Sequence, residues 1–261
     1  MKLGESALTN IGLAAIAVVL IGSIGAATVM RSSPEAMTDT DTCGSAWHGK
    51  TTVILLDASN PLTVGAEATV REVVAKARTG VRGSRVVIAR MSGARTYRPQ
   101  ILFDRCDPGG GAQADLMLEG PAAREALREE VFLAPLDAQL EKLVEPVDPN
   151  GESYIGETIM RAAADPAFHL DGEGARLVVV SDFIESTAIS KPYQTGQIVL
   201  PKVDEPFLAG IAVTMVELPA VAGATSIQTF ALRTEWRQWL ADAQATDVQM
   251  ISPGLAGSRR H

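Results

Sequence analysis

Residues 51–61 read TTVILLDASNP: a run of β-branched and aliphatic side chains, then an acid, then a turn of Ser, Asn and Pro. The apolar run does not alternate with polar residues, so it suits a strand buried on both faces, as in a parallel sheet. Arg176 to Ser181 (RLVVVS) and Gly210 to Leu218 (GIAVTMVEL) have the same character, and Arg85 to Ala89 (RVVIA) is a further strand. Tyr97 to Phe103 contains Pro99 and therefore reads as an edge strand. Between the strands lie helical stripes. Thr63 can cap a helix carrying Val64, Val70, Val73, Val74 and Ala77, and Pro121 can start another carrying Leu127, Val131, Ala134 and Leu140, kinked or divided at Pro135. A further helix starts near Gly156, Thr234 to Ala243 sets Trp236, Trp239 and Leu240 at helical spacing, and Asp247 to Ile251 is a last strand. The order β-α-β-β-α-α-β-β-α-β predicts an α/β fold: a doubly wound, mostly parallel sheet with helices on both faces.

Upstream, Ile11 to Met30 is a 20-residue segment without a charge. As a helix it rises ~1.5 Å per residue and would cross a ~30 Å hydrocarbon core once, so it reads as a transmembrane signal anchor, with a signal peptide cut after Ala27 as the rival. The expected organisation is a tail (1–10), the membrane helix (11–30), a polar linker (31–48), the folded domain (49–252) and a flexible tail (253–261). Lys2 and Arg31 stand on opposite sides of the span and leave its orientation undecided by charge. The two cysteines, Cys43 and Cys106, could close a loop in an oxidising compartment or stand as two free thiols. The first option favours a single-pass protein of the inner membrane with its domain in the periplasm.

The chain has 261 residues, with 23 Lys plus Arg against 31 Asp plus Glu and a net charge of −8. That balance excludes a nucleic-acid binder whose affinity rests on clustered bases. Polar turns fall where three elements meet the ligand-binding edge of such a sheet: Asp57 with Ser59 after the first strand, Ser153 ahead of Gly156, and Asp182 after RLVVVS. Carboxylates and hydroxyls are hard oxygen donors that suit Mg²⁺ or Mn²⁺. Glu157 and Glu185 are expected on the solvated surface or in support of the site, and Trp236 and Trp239 in the core. The Gly109-Gly110-Gly111 turn offers backbone donors to an anion but lacks the Lys and Ser of a phosphate loop.

These residues resemble the von Willebrand factor A fold and its metal-ion-dependent adhesion site, with its DxSxS turn, a Thr before a helix and an Asp after the fourth strand. Asp57 and Ser59 match the first two positions, Ser153 stands for the Thr and Asp182 for the last Asp. Pro61 holds the third DxSxS position and brings no oxygen, so the site is degenerate and water or Thr63 must take that place. The chain is also similar to a bacterial group of A-domain-like proteins with a leader segment, marked by D-x-[ST]-D-P-L-T, C-[ND]-P-G and [ST]-D-[MF]-[IL]. Here these read Asp57 to Thr63, with Asn60 for the Asp, then Cys106 to Gly109 and Ser181 to Ile184.

Catalytic constellations are missing from the sequence. An aspartyl phosphatase wants an Asp where Ser59 stands, a cysteine phosphatase an Arg where Ala112 stands, and His48, His169 and His261 pair with no nucleophile. The expectation is a non-enzymatic, membrane-anchored domain that holds Mg²⁺ or Mn²⁺ through Asp57, Ser59, Ser153 and Asp182 and engages a protein partner in the cell envelope. The alternatives are a metal-independent structural component of an envelope complex and, behind it, a metal-dependent hydrolase using the same carboxylates.

Overall fold

The computed structural model describes residues 43, 50–57, 64–77, 83–91, 98–114, 120–142, 152–171, 174–219 and 226–251. The membrane segment 11–30, the linker up to Cys43, Ser59, Pro61, Thr63 and the tail 253–261 lie outside the described residues. No helix among the described residues is long and apolar enough to cross a membrane. The chain divides into two compact units, Met1–Gly44 and Ser45–His261, and the sheet belongs to the second.

In chain order the elements are β1 (Thr51–Asp57), α1 (Val64–Ala77), β2 (Arg85–Met91), β3 (Gln100–Cys106), α2 (Pro121–Arg128), α3 (Ala134–Lys142), α4 (Ile155–Ala164), β4 (Arg176–Ser181), the short α5 (Pro192–Thr195), β5 (Ala212–Glu217), α6 (Phe230–Asp242) and β6 (Thr246–Ile251). They form a six-stranded sheet in the order β3-β2-β1-β4-β5-β6. All pairs are parallel except β2 with β3. The doubly wound α/β expectation therefore holds.

Side-chain alternation along β1 explains why helices cover both faces. Val53 and Leu55 point into a core with Ile155 and Ile159 of α4 and Leu232, Trp236 and Leu240 of α6. Ile54 and Leu56 point into the opposite core with Val70 and Val74 of α1, Phe132, and Leu136 and Leu140 of α3. A strand apolar at every position is thus apolar because it has two cores to feed. Trp236 and Trp239 stack edge to face with centroids 5.4 Å apart, which is packing rather than a binding surface.

Some boundaries differ from the sequence expectation for local reasons. The described edge strand starts at Gln100, just past Pro99, which cannot donate to the ladder, and it runs on through Asp104 and Arg105; Tyr97 lies outside the described residues. The strand end is tied down by Arg85, whose guanidinium forks onto Asp104 at 2.7 and 2.6 Å and also reaches the Ala167 carbonyl at 2.9 Å. Helix α6 starts at Phe230 because Thr229 caps it, its hydroxyl accepting from Leu232 N. Pro135 does divide its helix: a π-helical turn over Glu129–Leu133 separates α2 from α3. Proline has no N–H for the carbonyl four residues back, Val131, and Arg105 Nη1 donates to that carbonyl instead at 2.8 Å.

Candidate functional site

Strand order reverses direction between β1 and β4: from β1 the chain moves outward to β2, and later returns to β4 on β1's other side. In open α/β sheets, ligands bind beyond the carboxyl ends of strands at this switch. Asp57 is the last residue of β1, Ser181 the last of β4, and Asp182 follows. Both acids are nearly buried, with 7% and 8% exposure.

Asp57 Oδ2 accepts two hydroxyl hydrogen bonds, from Ser181 Oγ at 2.7 Å and Ser153 Oγ at 3.0 Å. Ser181 Oγ in turn accepts from Phe183 N at 2.9 Å, and Asp182 Oδ1 accepts from Ile184 N at 2.9 Å. Between them Phe183 adopts a left-handed backbone, φ +59°. A bulky residue holds that conformation only where its surroundings over-determine it. Here they do: the Phe183 ring meets Trp236 edge-on, and Trp236 Nε1 donates to the Phe183 carbonyl at 2.9 Å. Gln228 Nε2 bridges the carbonyls of Asp182 and Leu218 at 3.0 and 2.7 Å, joining the ends of β4 and β5.

Ser153 arrives by another route. It pairs antiparallel with Ser186 through backbone bonds of 2.7 and 2.9 Å, which hold the approach to α4 against the turn after β4. Ser153 does not cap α4; the cap position is Tyr154, with no side-chain cap bond. Glu185 does that work. Its Oε2 accepts from the N–H groups of Ile155 and Gly156, both at 2.9 Å. Glu185 is 0% exposed, so the expectation of a solvated surface position is wrong for it. The reason is its place in a turn whose other members, Phe183 and Ile184, are core residues. Gly156 is required by close approach: a Cβ there would lie 2.5 Å from Pro201 Cδ.

Charge at the site is uneven. Burial, and then the neighbouring charge of Asp57, push the Asp182 carboxyl up to about 7; Glu217 adds to the push and the Ile184 N–H opposes it. Burial pushes Glu185 up to about 10, with Glu157 adding to it against the pull of the two helix N–H groups. Tyr193, on α5 and 52% exposed, has its hydroxyl raised by partial burial and then by Asp182 and Asp57, so it stands within the field of both acids. Glu217, opposite Ser181 in the β4–β5 register, is instead neutralised by Arg233, which contacts both carboxylate oxygens at 3.0–3.2 Å.

Of the residues expected at the site, the structure brings together Asp57, Ser153 and Asp182, while Ser59 lies outside the described residues. Ser181 is expected from the sequence only as part of the turn that carries Asp182, and Glu185 only as a surface or supporting residue; neither contact is foreseen. Their signal was the full turn SDFIE, in which polar residues bracket two buried ones. Among the described residues no group of three or more His, Cys, Asp and Glu could hold a metal ion, so any ion here must rely on hydroxyls and water beside the two acids. The Gly109 to Gly111 donors are already used: Gly109 N donates to Asp107 Oδ1 and Gly111 N to Glu125 Oε2. Both Cys43 and Cys106 are disulfide-bonded.

The chain is thus a doubly wound, mostly parallel α/β domain with an acidic pair at its switch point. No family model matches it, and no curated protein matches it. Among solved structures, an aerotolerance-related membrane protein from Bacteroides fragilis NCTC 9343, with multiple mutations to serines, is 14% identical; the match covers 78% of this chain and 90% of that one at a TM-score of 0.36.

Proposed function

We propose that this is a membrane-tethered, von Willebrand factor A-like binding domain, non-enzymatic, which holds a divalent cation at the switch point and engages a protein partner of the cell envelope. The observation that carries the reading is the pairing of Asp57 and Asp182 at the ends of β1 and β4 with Ser153 beside them. The donor set fits a hard ion such as Mg²⁺ or Mn²⁺, which takes few carboxylates and keeps several waters. Ser153 donates its proton to Asp57, which leaves its oxygen lone pairs for a ligand, whereas Ser181 already accepts from Phe183 N. Asp57, Ser153 and Asp182 would hold the ion, with Ser59 as the further hydroxyl. A bound cation supplies positive charge and an open coordination position for a partner's carboxylate.

The tether is the apolar segment 11–30, and the disulfide-bonded state of both cysteines supports an oxidising compartment, the periplasm. A metal-independent, structural reading has one observation in its favour: Asp57 Oδ2 is satisfied by two hydroxyls without any ion. For a hydrolase using the same carboxylates, too few acidic ligands stand at the site among the described residues to hold the two ions of a metal-dependent mechanism. Titration of the chain with Mn²⁺, followed by the loss of the free ion's paramagnetic resonance signal, separates these readings. The cation reading requires saturable uptake that Asp182→Ala abolishes and Ser153→Ala weakens; no uptake at millimolar Mn²⁺ leaves the structural reading.

A further inference from the structure

Glu185 and Glu157 form a second acidic pair, at the start of α4. Glu185 Oε2 is fully used by the N–H groups of Ile155 and Gly156, but its Oε1 is buried without a hydrogen-bond partner, and so is Glu157 Oε2. Glu157 follows Gly156 directly on α4, so the second oxygen of Glu185 and the Glu157 carboxyl belong to the same helix start. No lysine or arginine forms an ion pair with either among the described residues. Two facing carboxylates in a buried site cannot both stay ionised. A single proton removes the conflict, because a carboxylic acid donates one hydrogen bond and keeps its acceptor oxygen.

We propose that Glu185 is a positioning residue held as a neutral carboxylic acid, donating its proton from Oε1 to Glu157 while Oε2 binds the first turn of α4. In that form it locks the turn after β4 to the start of α4. The consequence reaches the candidate site, since the same two segments carry Asp182 and Ser153 and are zipped beside it by the Ser153–Ser186 bridge. Other polar atoms near the clamp are committed elsewhere: Ser190 Oγ donates to the Glu185 backbone carbonyl at 2.7 Å and accepts from Val199 N. Glu157 is the charged group that acts on Glu185, and burial works in the same direction. Gln is the faithful substitute for this state, because its amide donates to Glu157 and its carbonyl accepts from the two helix N–H groups.

The carboxylic-acid state stands on its own geometry; the positioning role rests on the reading of Asp57, Ser153 and Asp182 as the site. The experiment uses the full chain in detergent micelles, as wild type, Glu185→Gln, Glu185→Ala and Glu157→Gln. Infrared spectra of wild type at pH 7 with the glutamate carboxyls isotope-labelled, which separates them from Asp182, are expected to contain the C=O band of a buried protonated glutamic acid, absent in Glu185→Gln. The melting temperature of Glu185→Gln relative to wild type is expected to rise steadily from pH 5 to pH 9, and Glu157→Gln should follow the same trend. The amide resonance of Ser153 is expected to stay in place in Glu185→Gln and to move in Glu185→Ala, with Mn²⁺ uptake lost only in the latter. A missing acid band, or a melting-temperature difference that does not change with pH in either Gln variant, overturns the proposal even if Mn²⁺ binds. An intact band in a wild type that binds no Mn²⁺ defeats the cation reading and leaves the neutral clamp standing. Stabilisation of the pair by added cation in place of a proton, seen as a band that vanishes with Mn²⁺, also overturns it.

Discussion

The ends of β3 and β5 treat their acids differently from the end of β4. Asp107, just past β3 and almost fully buried, receives Nε and Nη2 of Arg128 at 2.9 and 2.8 Å and the backbone N–H of Gly109. Glu217, at the end of β5, is gripped by Arg233. Asp182 and Glu185, in the turn after β4, are as buried and have only backbone N–H donors among the described residues. Their carboxyls are accordingly pushed up, to about 7 and about 10. The contrast teaches where this fold spends its basic residues. Asp107 and Glu217 are paired with arginines within the chain, whereas Asp182 and Glu185 are left to backbone donors among the described residues.

The largest expected effect is at the neutralised end. Arg128→Ala leaves Asp107 as a buried charge with no base, which should cost about 3–5 kcal/mol in urea unfolding. A loss below about 1 kcal/mol would mean that Asp107 tolerates the same isolation as Asp182 and that the contrast is superficial. Next comes Gly156→Ala, where the added methyl meets the Pro201 ring; overpacking of this kind costs about 1–3 kcal/mol, and an unchanged urea midpoint would show that residues around Pro201 yield freely.

Asp182→Asn tests the other half with the opposite sign. A carboxyl whose folded value is raised from the ordinary 3.8 to about 7 binds its proton more tightly in the folded state. Stability is therefore fully present below about pH 4 and declines as pH rises towards 7. In metal-free buffer Asp182→Asn should stabilise by on the order of 1–2 kcal/mol at pH 8 and by almost nothing at pH 4. Equal effects at both pH values would show that the carboxyl is not under electrostatic pressure. The smallest effect is expected for Ser181→Ala, which removes a donor to Asp57 and the acceptor for Phe183 N, costing about 1 kcal/mol; a neutral outcome would show that Asp57 is satisfied without Ser181.

The fold and the strand-end positions of two acids are legible in the residues, whereas the pairing of Asp107 and Glu217 with arginines is not. Strands apolar at every position require two covering layers, so TTVILL, RVVIA and RLVVVS point to a doubly wound sheet, and Asp57 and Asp182 then fall at strand ends. Ser153 was placed at the site by its distance from Gly156, but its role as a donor to Asp57 depends on a contact 96 residues apart in sequence. For Glu185 the sequence leaves surface and supporting roles open. A glutamate is ordinarily solvated, and nothing local shows that the helix whose N–H groups it binds begins thirty residues earlier, at Ile155. The start of α6 was placed late because Phe230 is exposed and adds nothing to the apolar stripe, although Thr229 carries the capping signal.

The central claim is that Asp182, which no basic side chain among the described residues pairs with, serves with Asp57 and Ser153 to hold a cation. The direct measurement is the thermal unfolding of the full chain in EDTA against Mg²⁺ and Mn²⁺, for wild type and Asp182→Ala. An ion at 100 times its dissociation constant stabilises the native state by ~2.7 kcal/mol, so the melting temperature of wild type should rise with metal while that of Asp182→Ala does not move. Identical melting curves with and without millimolar metal in wild type would contradict the claim and leave Asp57, Ser153 and Ser181 as a hydrogen-bonded joint between strands.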